Sequence, residues 1–172
     1  DASRRVEEKL KEVEERVRKL LEEDRKRLKD SKRKVEELIE RDKTELKKVK
    51  DRADGGVPKD EARDELRKLK EKSRRDLERL ADDLRRLNEK SKEDLKKIKR
   101  EAEKLLEELE REKGADKKVI DTVRKRLKEL LDELKKSVED THRENRRVLK
   151  ELEESHKRTN ERLDDLLREL ER

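Results

Sequence analysis

Two histidines, His142 and His156, share this chain with a few serines, aspartates, threonines and amides set where helical spacing otherwise places apolar residues. Asp24 and Asp42 take seats equivalent to Val6, and Ser31 takes the seat of Val13. Ser73 and Ser91 correspond to Leu109, and Asn145 is in register with Leu127 and Leu163. His156 aligns with Ile120 and Val138, while Thr141 and Thr159 align with Val123. Three chemistries use such residue types. Ser, His and Asp on one level could supply the nucleophile, base and orienting carboxylate of acyl transfer. Histidine and carboxylates could ligate zinc. The same groups could also satisfy one another as a buried hydrogen-bond network, with Asn88 and His142 as further members.

Which chemistry is available depends on the elements that carry these residues. Glycine and proline occur at two places, Asp54-Gly55-Gly56-Val57-Pro58 and Lys113-Gly114-Ala115-Asp116. Gly55 and Gly114 suit the left-handed residue that closes a helix, Pro58 suits the first turn of the next, and Asp116 can cap a third through its carboxylate. The breaks predict three helices, about 3–53, 58–113 and 116–172, each about 80 Å long at about 1.5 Å per residue. Short connections make successive helices antiparallel neighbours. The expected fold is all-α: a long antiparallel up-down-up three-helix bundle, nearly untwisted, with residues 1–172 as one domain.

The lack of twist follows from an eighteen-residue interval. It superimposes Leu10, Leu28 and Leu46 in the first helix, Leu69, Leu87 and Leu105 in the second, and Leu134, Leu152 and Leu170 in the third. Eighteen residues in five turns is 3.6 per turn, so the apolar stripe winds neither left, as a heptad repeat does, nor right, as an eleven-residue repeat does. Nearly every apolar residue lies on one such stripe per helix, as three helices sharing a seam require.

Composition excludes several functions. Charged residues make up 63% of the 172 residues, hydrophobic residues 26% and aromatic residues none, far from the ordinary globular balance. The apolar residues are periodic, so the composition is that of long helices rather than of disorder. Net charge is +6 from 57 basic and 51 acidic residues. Pairs such as Glu7 with Lys11 and Glu45 with Lys48 place opposite signs side by side on a helix. That describes a self-paired surface, not the one-sided basic face with stacking aromatics of a nucleic-acid binder. Without cysteine there is neither a disulfide framework nor a thiolate metal site. No apolar run is long enough to cross a bilayer, and Asp1-Ala2-Ser3-Arg4-Arg5 lacks the apolar stretch of a signal peptide. A soluble protein, cytoplasmic in an expression host, is expected. A partner groove, a lipid-facing surface or a drug-sized pocket would need apolar residues beyond the stripe.

Antiparallel geometry groups the polar residues by height. If residue 53 lies opposite about residue 60, Asp42 faces Ser73, and Asp24 faces the neighbourhood of Ser91 and Asn88. Helix three, parallel to helix one, brings His156 level with Asp42, and Thr141, His142 and Asn145 near Asp24. The seam of a three-helix bundle offers neither an oxyanion hole nor a substrate cleft, so catalysis is not expected. One histidine per level and no cysteine make a weak ligand set, so no metal or cofactor is expected. The remaining reading is structural. Polar layers at distinct heights penalise every slipped register by leaving groups unpaired.

Long helices of Glu, Lys, Arg and Leu, the eighteen-residue repeat, minimal capped loops and the absence of aromatic, Cys and Met residues resemble the parametrically designed straight three-helix bundles of de novo protein design. The resemblance covers the whole chain. It says nothing of a biological activity; the apolar bookkeeping favours a structural scaffold without natural biochemical activity, monomeric and needing no partner, nucleic acid or membrane. The alternative is an interaction module, a component of a designed helical heteromer or switch whose polar layers choose a helical partner; a swapped dimer would bury the same stripe. Spectrin-type repeats share the three-helix plan but differ in their tryptophan and shorter helices.

Overall fold

A chain this rich in Leu, Glu, Lys and Arg stays helical until glycine or proline interrupts it. The computed structural model describes residues 2–112 and 116–172. It contains α1 (Ala2–Asp54), α2 (Lys59–Arg111) and α3 (Lys117–Glu171), of 53, 53 and 55 residues. These bounds lie within two residues of those that the breaks predict, and no strand occurs among the described residues.

The ends of the helices are set by local chemistry. Asp116 is the N-cap of α3: its Oδ1 accepts the Lys118 backbone N–H at 3.1 Å and its carbonyl accepts that of Ile120 at 3.1 Å. Pro58 precedes α2 rather than joining its first turn, and its carbonyl accepts the Ala62 N–H at 3.0 Å. The α1 terminus differs from expectation. Gly56, not Gly55, is left-handed, with φ of +95°. Gly55 still makes the helical bond to the Asp51 carbonyl at 2.9 Å, and the Val57 N–H then closes back on Arg52 at 3.3 Å. That six-residue closure needs its positive φ one residue later than Gly55. The expectation for Gly114, and Ala115 beside it, falls outside the described residues.

The chain forms two compact units, and all three helices run through both. One comprises residues 1–28 and 86–143, the other 29–85 and 144–172. In the first, Val13, Val17, Ile98, Ala102, Leu105, Leu109, Leu127 and Leu134 belong to a single apolar cluster. The second holds two clusters. Val35, Leu80, Leu84, Val148 and Leu152 form one, and Leu46, Val49, Leu66, Leu69 and Leu163 form the other. Pairs flanking the seams follow the antiparallel run of α1 and α2: Lys9 with Glu108 and Arg16 with Glu101 in the first unit, and Arg41 with Asp76 and Arg52 with Glu65 in the second.

The two neighbouring glycines therefore separate in a mutational test. Gly56→Ala should cost about 1–2 kcal/mol, the penalty of a left-handed L-residue, and Gly55→Ala clearly less. Urea unfolding of both variants measures the difference, and equal costs would contradict the assigned turn.

Candidate functional site: a buried polar chain

In the second unit the two apolar clusters are separated on every helix by polar residues. They are Asp42 between Val35 and Leu46, Ser73 between Leu80 and Leu69, and Ser155, His156 and Thr159 between Leu152 and Leu163. Asp42, Ser73, Ser155 and Thr159 are buried, and His156 is half-buried. A polar group taken out of water here must find a partner or cost about 1–3 kcal/mol.

The partners form a chain. Ser73 Oγ donates to Asp42 Oδ2 at 2.9 Å and lies 2.9 Å from His156 Nδ1, and Asn160 Nδ2 lies 3.1 Å from His156 Nε2. A serine hydroxyl has one proton, and Asp42 takes it. Ser73 Oγ must then accept from His156, so Nδ1 carries the imidazole proton. A neutral ring has no second N–H, which leaves Nε2 as acceptor for the Asn160 amide. The direction is Asn160 to His156 to Ser73 to Asp42. Three helices meet in this run of bonds.

Burial pushes the Asp42 carboxyl above its ordinary value, opposed by the Ser73 bond and the positive charge of Arg41. Burial also holds the His156 imidazole below its ordinary value, opposed by Asp42 and reinforced by Lys70. Both effects disfavour charge in a poorly solvated site.

The first unit solves a similar problem differently. Ser91 Oγ donates to Asp24 Oδ1 at 3.0 Å, and Arg27 Nη1 lies 3.8 Å from the same oxygen. Asp24 is 3% exposed. Burial raises its carboxyl above the usual range, with Ser91 and Arg27 pulling the other way and Asp94 and Glu23 adding to the rise. Thr141 is buried in this unit, and Asn88 and His142 are half-buried there. Ser31 and Asn145, each 3% exposed, belong to the second unit.

Of the residues singled out from sequence, the structure joins Asp42, Ser73 and His156 in one chain and Asp24 with Ser91 in a pair. Asn160 and Ser155 had not been singled out. Asn160 lies eighteen residues after His142 and four after His156, and that interval marks it. Ser155 follows Leu152 by three residues on the buried face, but its eighteen-residue column holds Val119 and Ser137, neither of them buried.

The order of the bonds decides the chemistry. Acyl transfer needs histidine between serine and aspartate, so that the ring can take the hydroxyl proton. Here serine stands in the middle and the ring donates to it. His156 Nε2, the lone pair that a metal would use, is occupied by Asn160. No three His, Cys, Asp or Glu side chains are grouped to hold a metal among the described residues.

No protein-family model matches the chain, and the curated proteins contain no match. A solved structure described as a computationally designed three helix bundle is similar, with a TM-score of 0.55 over 98% of this chain and 87% of that one, at 20% sequence identity. The fold is a three-helix bundle. Within this bundle the polar chain interrupts the seam with Asp42, Ser73, His156 and Asn160 bonded in sequence.

Two measurements follow. Ser73→Ala strands both Asp42 and His156, whereas Ser91→Ala leaves Asp24 its arginine neighbour. Ser73→Ala should therefore be the more destabilising, by about 2–3 kcal/mol against about 1, in parallel urea titrations. The second is a pH profile. As pH falls through 6.5, the ordinary histidine value, the unfolded chain binds a proton at residue 156 before the folded one does, and stability falls. Asp24 and Asp42, raised above 3.8 when folded, take up protons before the unfolded chain and return stability nearer that value. His156→Gln should abolish the first loss and keep the later gain; an unchanged loss below pH 6.5 would contradict the histidine assignment.

Proposed function

We propose that this chain is a structural scaffold of designed origin, active as a monomer, whose buried polar groups set helix register and whose surface binds nothing in particular. The observation that carries the reading is that no large apolar side chain is exposed among the described residues. Recognition of a protein, a lipid surface or a drug-sized ligand draws on apolar area left accessible, and here the core has used it. The clefts fit this reading. One between α1 and α2 in the second unit is lined by Lys34, Glu37, Arg41, Asp76, Arg79 and Asp83 above Leu38 and Leu80, a wall of charged side chains in which Arg41 pairs with Asp76. No described helix is long and apolar enough to cross a membrane.

Sliding any one helix of the second unit by a turn would set Asp42, Ser73 or His156 against leucine, which loses the bonds and strands a buried carboxylate. An apolar seam alone would oppose such a slide weakly. On this reading the chain is not an enzyme, because Ser73 gives its proton to the buried Asp42 carboxylate and the His156 ring donates to Ser73 instead of taking that proton.

Sedimentation equilibrium tests the scaffold reading against an interaction module. A mass of 20.9 kDa, unchanged over a hundredfold range of concentration, is expected. A doubled mass would point instead to exchange of a helix between two copies, and the polar groups would then be reassigned to choosing that partner.

A further inference from the structure

Asn160 is placed where a proton count can be read. Its Nδ2 faces His156 Nε2 at 3.1 Å, while its Oδ1 is buried and has no hydrogen-bond partner among the described residues. The amide thus keeps a strong acceptor idle within the same side chain that donates to the ring. The bond directions make this orientation depend on protonation. With Ser73 donating to Asp42 and Nδ1 donating to Ser73, Nε2 is the one bare ring nitrogen, and an N–H must face it. A proton added there would set two donors against each other.

We propose that His156 and Asn160 form a one-proton switch, in which a proton taken up from water at Nε2 turns the Asn160 amide by half a turn so that Oδ1 replaces Nδ2 opposite the ring. The new Nε2–H bond to Oδ1 is charge-assisted, and it engages the carbonyl that the neutral state leaves idle. The same turn results if the proton ends on Asp42 instead. A protonated Asp42 donates to Ser73, Ser73 donates to Nδ1, and the ring proton moves to Nε2, again facing an oxygen. Both outcomes conserve one added proton and differ only in where the charge resides.

The surroundings bias the switch without short-circuiting it. From α1, Asp42 favours the added proton on the ring, and Arg41, paired with Asp76, disfavours a proton on Asp42 itself. From α2, Lys70 opposes it, and Asp164 of α3 holds Lys70 at 2.8 Å. None of these charged groups makes a hydrogen bond to either ring nitrogen. Asn160 is therefore the group whose orientation must respond.

The test is nitrogen-15 NMR of the intact chain, following the His156 ring nitrogens and the Asn160 side-chain NH2 pair from about pH 8 to about pH 5. The expected result is a proton on Nδ1 alone at neutral pH. On acidification Nε2 should gain a proton, and the Asn160 NH2 signals should shift with the same midpoint, below the ordinary 6.5. An Nε2–H tautomer at neutral pH overturns the proposal, and so does a His156 titration that leaves the Asn160 amide signals unmoved. Asn160→Asp adds an independent arm. A fixed acceptor opposite Nε2 should raise the proton affinity of His156 about tenfold, and an unchanged midpoint would show that residue 160 does not sense the ring.

Discussion

A carboxylate taken out of water is the constraint on which the second unit depends. Asp42 needs donors, and the one its site provides is the single proton of Ser73. Once that proton is committed, every other bond direction follows: His156 must donate through Nδ1, and Asn160 must donate to Nε2. The apolar residues arrange themselves around this requirement as two clusters, one on each side. Asp24 meets the same constraint in the first unit with a hydroxyl and a nearby guanidinium. A guanidinium close to the carboxylate compensates charge directly, whereas at Asp42, whose neighbour Arg41 is paired with Asp76, a chain of neutral groups adds compensation by orientation. Only the second makes the proton count of distant atoms interdependent.

The surface contributes differently. Pairs such as Arg74 with Glu71 and Glu78, or Arg147 with Glu151, lie one turn apart on one helix and are well exposed. Each contributes little in water, and each would form equally well in a slipped or isolated helix. They favour helix. In the interior, apolar clusters and a handful of polar atoms bonded across helices lie on the same seam.

Much of this architecture was legible in the residues. Two breaks in a helix-forming chain define three helices, and Asp116 is a recognisable cap because its side chain acts on its own neighbours. The eighteen-residue columns placed Asp42, Ser73 and His156 on the buried face because burial of a helix face is periodic. What escaped depends on geometry that no column encodes. Two consecutive glycines are equally permissive, so the choice of Gly56 over Gly55 rests on which carbonyl the Val57 N–H reaches. That serine rather than histidine occupies the middle of the chain depends on side-chain reach across helices. Asn160 was within range of the same column rule through His142, but a half-buried amide beside a histidine reads as ordinary surface until the ring nitrogen it faces is known.

The two units also differ in the order in which a growing chain can complete them. The second is assembled from residues 29–85 and 144–172, so its first helical pair is synthesised early and its third strip of helix last. Asp42 and Ser73 leave the ribosome long before His156 exists. Until then that pair of helices has half a seam, its leucines face water, and its buried-to-be carboxylate remains hydrated and charged. The first unit needs nothing beyond residue 143 and can close earlier. During translation, therefore, the half-seam of residues 29–85 stays exposed until residues 144–172 have been made.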